Sequence, residues 1–283
     1  QFGNVSTVPS TNTRTIRASI SDGDGGQSVA ATERLALTQA FAIVGDTFST
    51  TEAVDNDSAG NIYIVGRFNG TVDLDPGPAT AELTSNGSQD GYVASYDSAG
   101  QFRWAHAIGS TQGDAAWTIA VSEDGDVFVT GEFNGTVDFD PTPAAFNLTA
   151  ANSNSDHYIL KLDSLGNFVS AGHIGGRVSD IDIDSSGSLV LSGSYQRVQD
   201  FDPGPGTQYL PDAGLSGNAD SFFMKLNSSL ELDWVRSIDE TTGDHGDFAL
   251  SIASDASDHI YVAGEFRETM DFDPGASVST LSP

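Results

Sequence analysis

The sequence predicts an all-β protein, a β-propeller of four antiparallel blades of roughly 65 residues each. Two observations predict it. The chain repeats one unit four times, and each unit is a series of short runs rich in Val, Ile, Phe and Tyr, separated by Gly, Asp and Asn turns. No run has helical periodicity. A repeated antiparallel sheet buries its faces by stacking on its neighbours, which favours a propeller over a sandwich.

The clearest part of the unit is a stretch that ends in Asp-x-Asp-Pro. Its second copy reads DVFVTGEFNGTVDFDP. The four copies are residues 61–76, 126–141, 188–203 and 259–274. The first aspartate of the closing motif falls at positions 73, 138, 200 and 271, so the spacings are 65, 62 and 71 residues. This spacing predicts that residues 36–283 form one four-repeat array, preceded by an extension of residues 1–35.

The second copy shows how one unit divides into strands. A turn at residues 123–126 separates the first two strands, and Asn134-Gly135 is a hairpin turn into the third. A further turn at residues 163–166 separates the last two strands. The predicted strands are residues 117–121, 127–133, 136–139, 146–149, 158–162 and 168–174.

The second half of the unit also repeats, and it carries a resemblance to a known family. Residues 90–97, 156–163 and 220–227 each begin with Asp and a Tyr or Phe two positions later. Together with the Tyr-Val-x-Gly type of strand, they resemble the β-propeller repeat of bacterial surface proteins over about residues 36–283. The resemblance implies a propeller fold and export, often within a large cell-surface protein, and it implies no particular activity. The Asp-x-Asp-Pro motif is an addition to that family's minimal pattern.

The fourth copy ends before the strands that complete the other units. Residues 36–44 fit the last strand of a unit, and residues 14–21 with Asp22-Gly23 imitate the strand before it and its turn. These N-terminal strands are therefore predicted to complete the last blade. They complete it either in their own chain, which closes the ring, or in a neighbouring chain, which builds a head-to-tail filament by strand donation. The third alternative is that the extension is a flexible tail.

Charge and composition exclude several partners. Forty acidic residues face eleven basic ones, giving a net charge of −29, which repels nucleic acid and anionic lipid. No apolar run approaches the roughly 20 residues of a membrane helix, and the absence of cysteine excludes disulfides and thiol catalysis. The chain begins with Gln1, from which we predict an extracellular or cell-surface protein whose signal peptide has been removed.

The repeated aspartates are the candidate metal ligands. Alternate residues of an extended strand point the same way, so each Asp-x-Asp pair places two carboxylates on one face, an arrangement that suits Ca²⁺. The aspartates that open the later strands supply further oxygens. The candidates are Asp73, Asp75, Asp138, Asp140, Asp200, Asp202, Asp271 and Asp273, with Asp90, Asp156 and Asp220. The alternative is that each aspartate caps a turn by accepting backbone N–H groups.

Catalysis is not predicted. No G-x-S-x-G, H-E-x-x-H, Walker or G-x-G-x-x-G motif occurs, and the five histidines occupy unrelated repeat positions. The arginines also share no repeat position, unlike the arginine cluster of a sialidase. Trp104 and Trp234 do share one, which favours packing over sugar binding.

Three hypotheses for function follow. The first is a secreted, non-catalytic structural protein, a calcium-stabilised propeller that assembles head to tail as a filament or surface layer. The second is a module that binds a glycan or a cell-surface protein. The third and weakest is a glycoside hydrolase.

Overall fold

The computed structural model describes residues 14–18, 31–35, 43–45, 48–151, 155–196, 198–210, 219–238, 248–266, 269–272 and 279–282. The chain divides into two compact units, Gln1–Ala42 and Ile43–Pro283. In the first unit, β1 (Arg14–Ala18) pairs antiparallel with β2 (Ala31–Leu35). Asp22, Gly23 and residues 36–42 of the predicted N-terminal strands lie outside the described residues.

The described residues of the second unit form four main antiparallel sheets and two further two-stranded hairpins, and they contain no helix. Sheet 1 joins β4 (Phe48–Asn56), β5 (Ile62–Asp73), β6 (Glu82–Tyr96) and β7 (Phe102–Ile108) in chain order, and β3 (Val44–Gly45) pairs with the end of β5. Val44 therefore belongs to sheet 1. The prediction of an all-β fold is confirmed. No helix among the described residues is long and apolar enough to cross a membrane.

Sheets 2 and 3 have the same strand order as sheet 1. Sheet 2 consists of β8 (Ala115–Val121), β9 (Val127–Phe133), β12 (Asp156–Leu162) and β13 (Phe168–His173), with a small hairpin of β10 (Thr136–Asp138) and β11 (Asn147–Thr149) inserted after β9. These bounds agree with the predicted strands of the second copy to within two residues. Sheet 3 consists of β14 (Arg177–Ile183), β15 (Leu189–Tyr195), β16 (Asp220–Leu226) and β17 (Leu232–Ile238).

Sheet 4 has two described strands, β18 (Phe248–Ser254) and β19 (Ile260–Glu265). A hairpin of β20 (Met270–Asp271) and β21 (Thr280–Leu281) follows them and corresponds to the β10–β11 hairpin. The sheet therefore matches the first half of sheets 1 to 3.

One kind of turn joins strands within every sheet. A side-chain oxygen at its first position accepts hydrogen bonds from the backbone N–H groups two and four residues later, as Asp57 does from Ala59 and Asn61 at 3.0 and 2.8 Å. The fourth residue has positive φ, and Leu230 and Asp258 occupy that position where the other turns have glycine. The equivalent first residues are Asp97, Asp163, Asp184, Asn227 and Asp255.

The first strand of each sheet contains a β-bulge opposite a glycine of the second strand. The pairing register shifts at Glu52, Trp117, Ser179 and Leu250. Opposite these bulges, a Cβ atom added at Gly66, Gly131 or Gly193 would collide with a carbonyl oxygen of the bulged strand. The repeated glycine is therefore required because two backbones approach closely.

The sheets pack face to face in chain order. One hydrophobic core lies between sheets 1 and 2 and contains Tyr63 and Val129, and a second lies between sheets 2 and 3 and contains Phe128 and Leu191. The first strands β4, β8, β14 and β18 contact one another in succession. Sheet 2 therefore buries both of its faces.

Candidate functional site

The first aspartate of each Asp-x-Asp-Pro motif closes its loop as a hydrogen-bond acceptor. Oδ1 of Asp73 accepts the N–H groups of Asp75 at 3.0 Å and Ala81 at 2.9 Å. Asp138 and Asp200 accept the equivalent pairs of N–H groups at 2.8–3.1 Å. Asp271 accepts the N–H of Ser279 at 2.8 Å. The four residues share this role, so the turn-cap alternative describes their geometry.

The second aspartate caps the proline turn that follows it. Oδ1 of Asp75 accepts the N–H of Gly77 at 2.7 Å. Asp140 and Asp202 accept the N–H groups of Thr142 and Gly204 at 2.9 and 2.8 Å. Asp273 lies outside the described residues.

The residue between the two aspartates anchors the hairpin to its own sheet. Leu74, Phe139 and Phe201 are all buried. The ring of Phe139 lies 4.8 Å from that of Tyr158, and the ring of Phe201 lies 4.9 Å from that of Phe222. In sheet 1 the hydroxyl of Tyr96 donates to the carbonyl of Leu74 at 2.9 Å. The hairpin therefore folds back over the sheet, with its aspartates closing the loop beyond the buried side chain.

Three predicted ligands, Asp156, Asp200 and Asp202, line one cleft, but they do not form a compact metal site. No group of three or more Asp, Glu or His side chains that could hold a metal ion occurs among the described residues. Asp90, Asp156 and Asp220 stand at one register position, opposite Phe68, Phe133 and Tyr195, and their partners differ from sheet to sheet. Calcium binding by the repeated aspartates stays a prediction.

Asp90 and Asp156 occupy equivalent positions in opposite electrostatic environments. Asp90 is fully buried, and its Oδ1 has no hydrogen-bond partner among the described residues. Burial, with a smaller contribution from the charge of Asp114, raises the pKa of Asp90 to about 6. Burial also raises the pKa of Asp156, but hydrogen bonds from His173 and from the backbone outweigh it, so the pKa of Asp156 is lowered. Its Oδ2 lies 3.1 Å from Nδ1 of His173.

Substitution of Asp90 and of Asp156 should change the free energy of unfolding in opposite directions. Because folding raises the pKa of Asp90 from 3.8, its ionisation destabilises the protein increasingly as pH rises from 4 to 6. Asp90→Asn should therefore raise the free energy of unfolding by about 2 kcal/mol at pH 8 and change little at pH 4. Asp156→Asn should lower it by about 1 kcal/mol at pH 7, an effect lost at acid pH. Urea unfolding at several pH values measures both, and effects of the same sign at pH 8 would contradict the assignment.

Side chains also link neighbouring sheets. From β7, Arg103 and Trp104 donate to the carbonyl of Ser164 in sheet 2, at 3.0 and 3.3 Å. Between sheets 2 and 3, the ammonium of Lys161 donates to the equivalent carbonyl, that of Ser228, at 2.9 Å. These contacts assign Trp104 to sheet packing.

Carboxylates on the first strands make a second set of links. Asp55 accepts the backbone N–H of Val121 at 2.7 Å, and Asp182 accepts that of Ser254 at 2.7 Å. The two aspartates hold the same repeat position in sheets 1 and 3. Burial raises the pKa of Asp55, its hydrogen bonds lower it, and the charge of Asp182 raises it further. The first strands of sheets 1 and 3 therefore lie close enough for their carboxylates to interact.

A cationic and aromatic cluster is the arrangement that sequence reasoning missed. The guanidinium carbon of Arg67, from sheet 1, lies 4.8 Å from the ring centre of Trp117, a bulge residue of sheet 2. That of Arg177, from sheet 3, lies 5.0 Å from the same ring centre. Arg67 also pairs with Glu52 at 2.9 Å. Residues at unrelated repeat positions thus meet because three sheets present their bulge ends side by side.

A cleft between sheets 2 and 3 adjoins this cluster. It is lined by Arg177, His157, His173, Asp156, Asp200 and Asp202, among others. Burial lowers the pKa of His157 to about 4, so its imidazole is neutral at pH 7. His106 and His259 bind the Gly166 carbonyl and Asp255 respectively, and His245 lies outside the described residues.

No protein-family model matches the chain, and no curated protein matches it.

Proposed function

We propose that the chain is an exported, non-catalytic structural protein in which the four sheets are the blades of a β-propeller. The observation that supports it most is the contrast between the middle of the sheet stack and sheet 4. Strands β9 and β15 are buried along nearly their whole length, whereas the equivalent strand β19 is mostly exposed. A structural repeat buries its faces only where a neighbouring sheet covers them.

Both ends of the stack expose apolar side chains. In sheet 1, Phe48 and Val54 on β4 are 42% and 65% exposed. In sheet 4, Tyr261 on β19 is 59% exposed. Contact between sheets 1 and 4 would bury both surfaces, as sheet 2 is buried by its two neighbours.

The repeated polar residues support a structural role as well. The described aspartates of the Asp-x-Asp-Pro motif accept backbone N–H groups, and Asp55 and Asp182 bind the backbone of the next sheet. These residues occur in several repeats, whereas catalysis generally requires residues that are unique to one place. Loop closure and sheet linkage account for them.

The N-terminal extension is the proposed source of the strands that sheet 4 lacks. Sheets 1 to 3 place two further antiparallel strands beside the second strand, and β1–β2 is itself a pair of antiparallel strands. We propose that this pair is added to the exposed edge of β19, in its own chain or in a neighbouring one. In-chain addition gives a monomeric propeller, and addition between chains gives a filament.

Removal of residues 1–35 tests this proposal. For in-chain completion we expect a lower melting temperature and a monomer before and after truncation. For strand donation we expect the full chain to form filaments in electron micrographs and the truncated chain to be a folded monomer. Ultracentrifugation and thermal melting measure both. A truncated protein with an unchanged melt and an unchanged size would contradict the proposal.

Calcium stabilisation is tested separately. If the Asp-x-Asp-Pro pairs bind Ca²⁺, excess EDTA should lower the melting temperature and added calcium should restore it. Asp140→Asn should reduce the calcium-dependent part of the shift, because it removes one carboxylate of one pair. A melting temperature that EDTA does not change would contradict calcium binding, and turn capping would then be the role of these aspartates.

A further inference from the structure

The β-bulge recurs in all four sheets, but the residue at its centre does not. The four bulge residues are glutamate, tryptophan, serine and leucine. The glycine opposite the bulge is the same in every copy. A bulge turns one side chain away from the regular alternation of a strand, and bulges are common beside binding sites. The same β-bulge therefore presents a different side chain in each sheet. Such a set of unlike side chains can form a binding site for one asymmetric ligand.

Two of the bulge residues, Glu52 and Trp117, contact the arginines described above. Arg67 is held by Glu52, and its Nη1 lies 3.4 Å from the amide oxygen of Gln89. Arg177 is exposed and forms no ion pair with the described residues. Its guanidinium stays beside the Trp117 ring instead.

The chemistry of this cluster narrows the class of ligand. A guanidinium binds a carboxylate through two parallel hydrogen bonds, and an indole ring offers an apolar surface beside it. The neutral imidazole of His157 and the amide of Gln199 lie along the adjoining cleft as polar partners, together with the carboxylates of Asp156, Asp200 and Asp202, which can accept hydrogen bonds from ligand hydroxyl groups. The net charge of −29 and nearby Glu52 repel polyanions, so a ligand with one negative charge is favoured over phosphate or nucleic acid.

We propose that Arg177 and Trp117, supported by Arg67, form a binding site for a carboxylate-bearing sugar of the hexuronic acid class. The carboxylate pairs with Arg177, and the sugar ring lies against the indole edge and the cleft between sheets 2 and 3. This site is independent of how sheets 1 and 4 meet, so it goes beyond the structural role proposed above.

Titration of the full-length protein with sodium glucuronate tests the proposal, with tryptophan fluorescence and calorimetry as readouts. Glucose, which lacks the carboxylate, and sodium phosphate serve as comparison probes. We expect saturable glucuronate binding that exceeds binding of both comparisons and weakens as salt is added. Arg177→Gln should weaken it at least about tenfold. Arg236→Gln makes the same change of charge outside the site and should leave binding unchanged.

A variant of Trp117 tests whether the indole ring belongs to the binding site. Trp117→Phe should abolish most of the fluorescence response, since Trp104 and Trp234 lie in other parts of the fold. Thermal melts establish that each variant is folded. Absence of glucuronate binding by the folded protein, equal binding of phosphate or glucose, or an Arg177→Gln variant that binds as the natural protein does would each overturn the proposal.

Discussion

Phe201→Ala is expected to lower the free energy of unfolding by about 3–5 kcal/mol, the usual cost of removing a buried phenylalanine ring. Phe201 is fully buried between the rings of Tyr195 and Phe222, with centroid distances of 5.5 and 4.9 Å. It is also the middle residue of an Asp-x-Asp-Pro motif, so its removal leaves a cavity where the loop closed by the Asp200–Tyr209 bridge packs on sheet 3. Urea unfolding followed by circular dichroism measures the loss.

Asp202→Asn is the matched control for Phe201→Ala. It alters the neighbouring side chain, whose Oδ1 accepts one N–H group in a loop exposed to solvent. We expect a cost of about 1 kcal/mol or less. A control that costs as much as the loss of the ring would show that the carboxylate, and not the buried ring, holds the hairpin.

Gly131→Ala is expected to destabilise the protein by about 3 kcal/mol, at the upper end of overpacking effects. An added Cβ atom would collide with the carbonyl oxygen of Ala115 and lie 2.6 Å from the hydroxyl oxygen of Tyr158. Neither neighbour can move freely, because Ala115 belongs to the bulged strand β8 and Tyr158 is fully buried. Calorimetric melting measures the change.

Gly187→Ala separates the effect of space from that of backbone conformation. Gly187 has a φ of 78°, and an added Cβ atom there would meet no atom within 4 Å. Its cost should be the conformational one alone, about 1 kcal/mol. If both substitutions had the same cost, the close approach of the strands at Gly131 would not be the reason for the repeated glycine.

The strands were predictable from the sequence because their signals are local. Val127, Phe128, Val129 and Phe133 lie between two turns that contain glycine, and the observed strand β9 spans the predicted residues 127–133. The fold-back of the Asp-x-Asp-Pro segment was not predicted, because the two aspartates alone do not indicate that the residue between them is buried. That residue is Leu or Phe in every copy, and this was the available signal for its burial.

Side-chain environments were less predictable than backbone positions. Asp90 and Asp156 align in the repeat, yet burial raises the pKa of Asp90, whereas hydrogen bonds from His173 and the backbone outweigh burial and lower the pKa of Asp156. Trp117 and Arg177 meet because a bulge adds a residue to the strand and changes which face a side chain occupies. A strict two-residue alternation does not anticipate that change.

A distance measured between sheets 1 and 4 tests the propeller most directly. The natural chain has no cysteine, so spin labels can be placed at Val54→Cys on β4 and Tyr261→Cys on β19, both at exposed positions. Adjacent sheets stack roughly 10 Å apart, so a closed ring predicts a label separation near that spacing, whereas an open stack of four sheets separates its ends by roughly 30 Å. Dilution with unlabelled protein distinguishes contacts within a chain from contacts between chains. A short distance that survives dilution supports the monomeric propeller, one that disappears supports head-to-tail assembly, and a long distance alone would contradict the meeting of sheets 1 and 4.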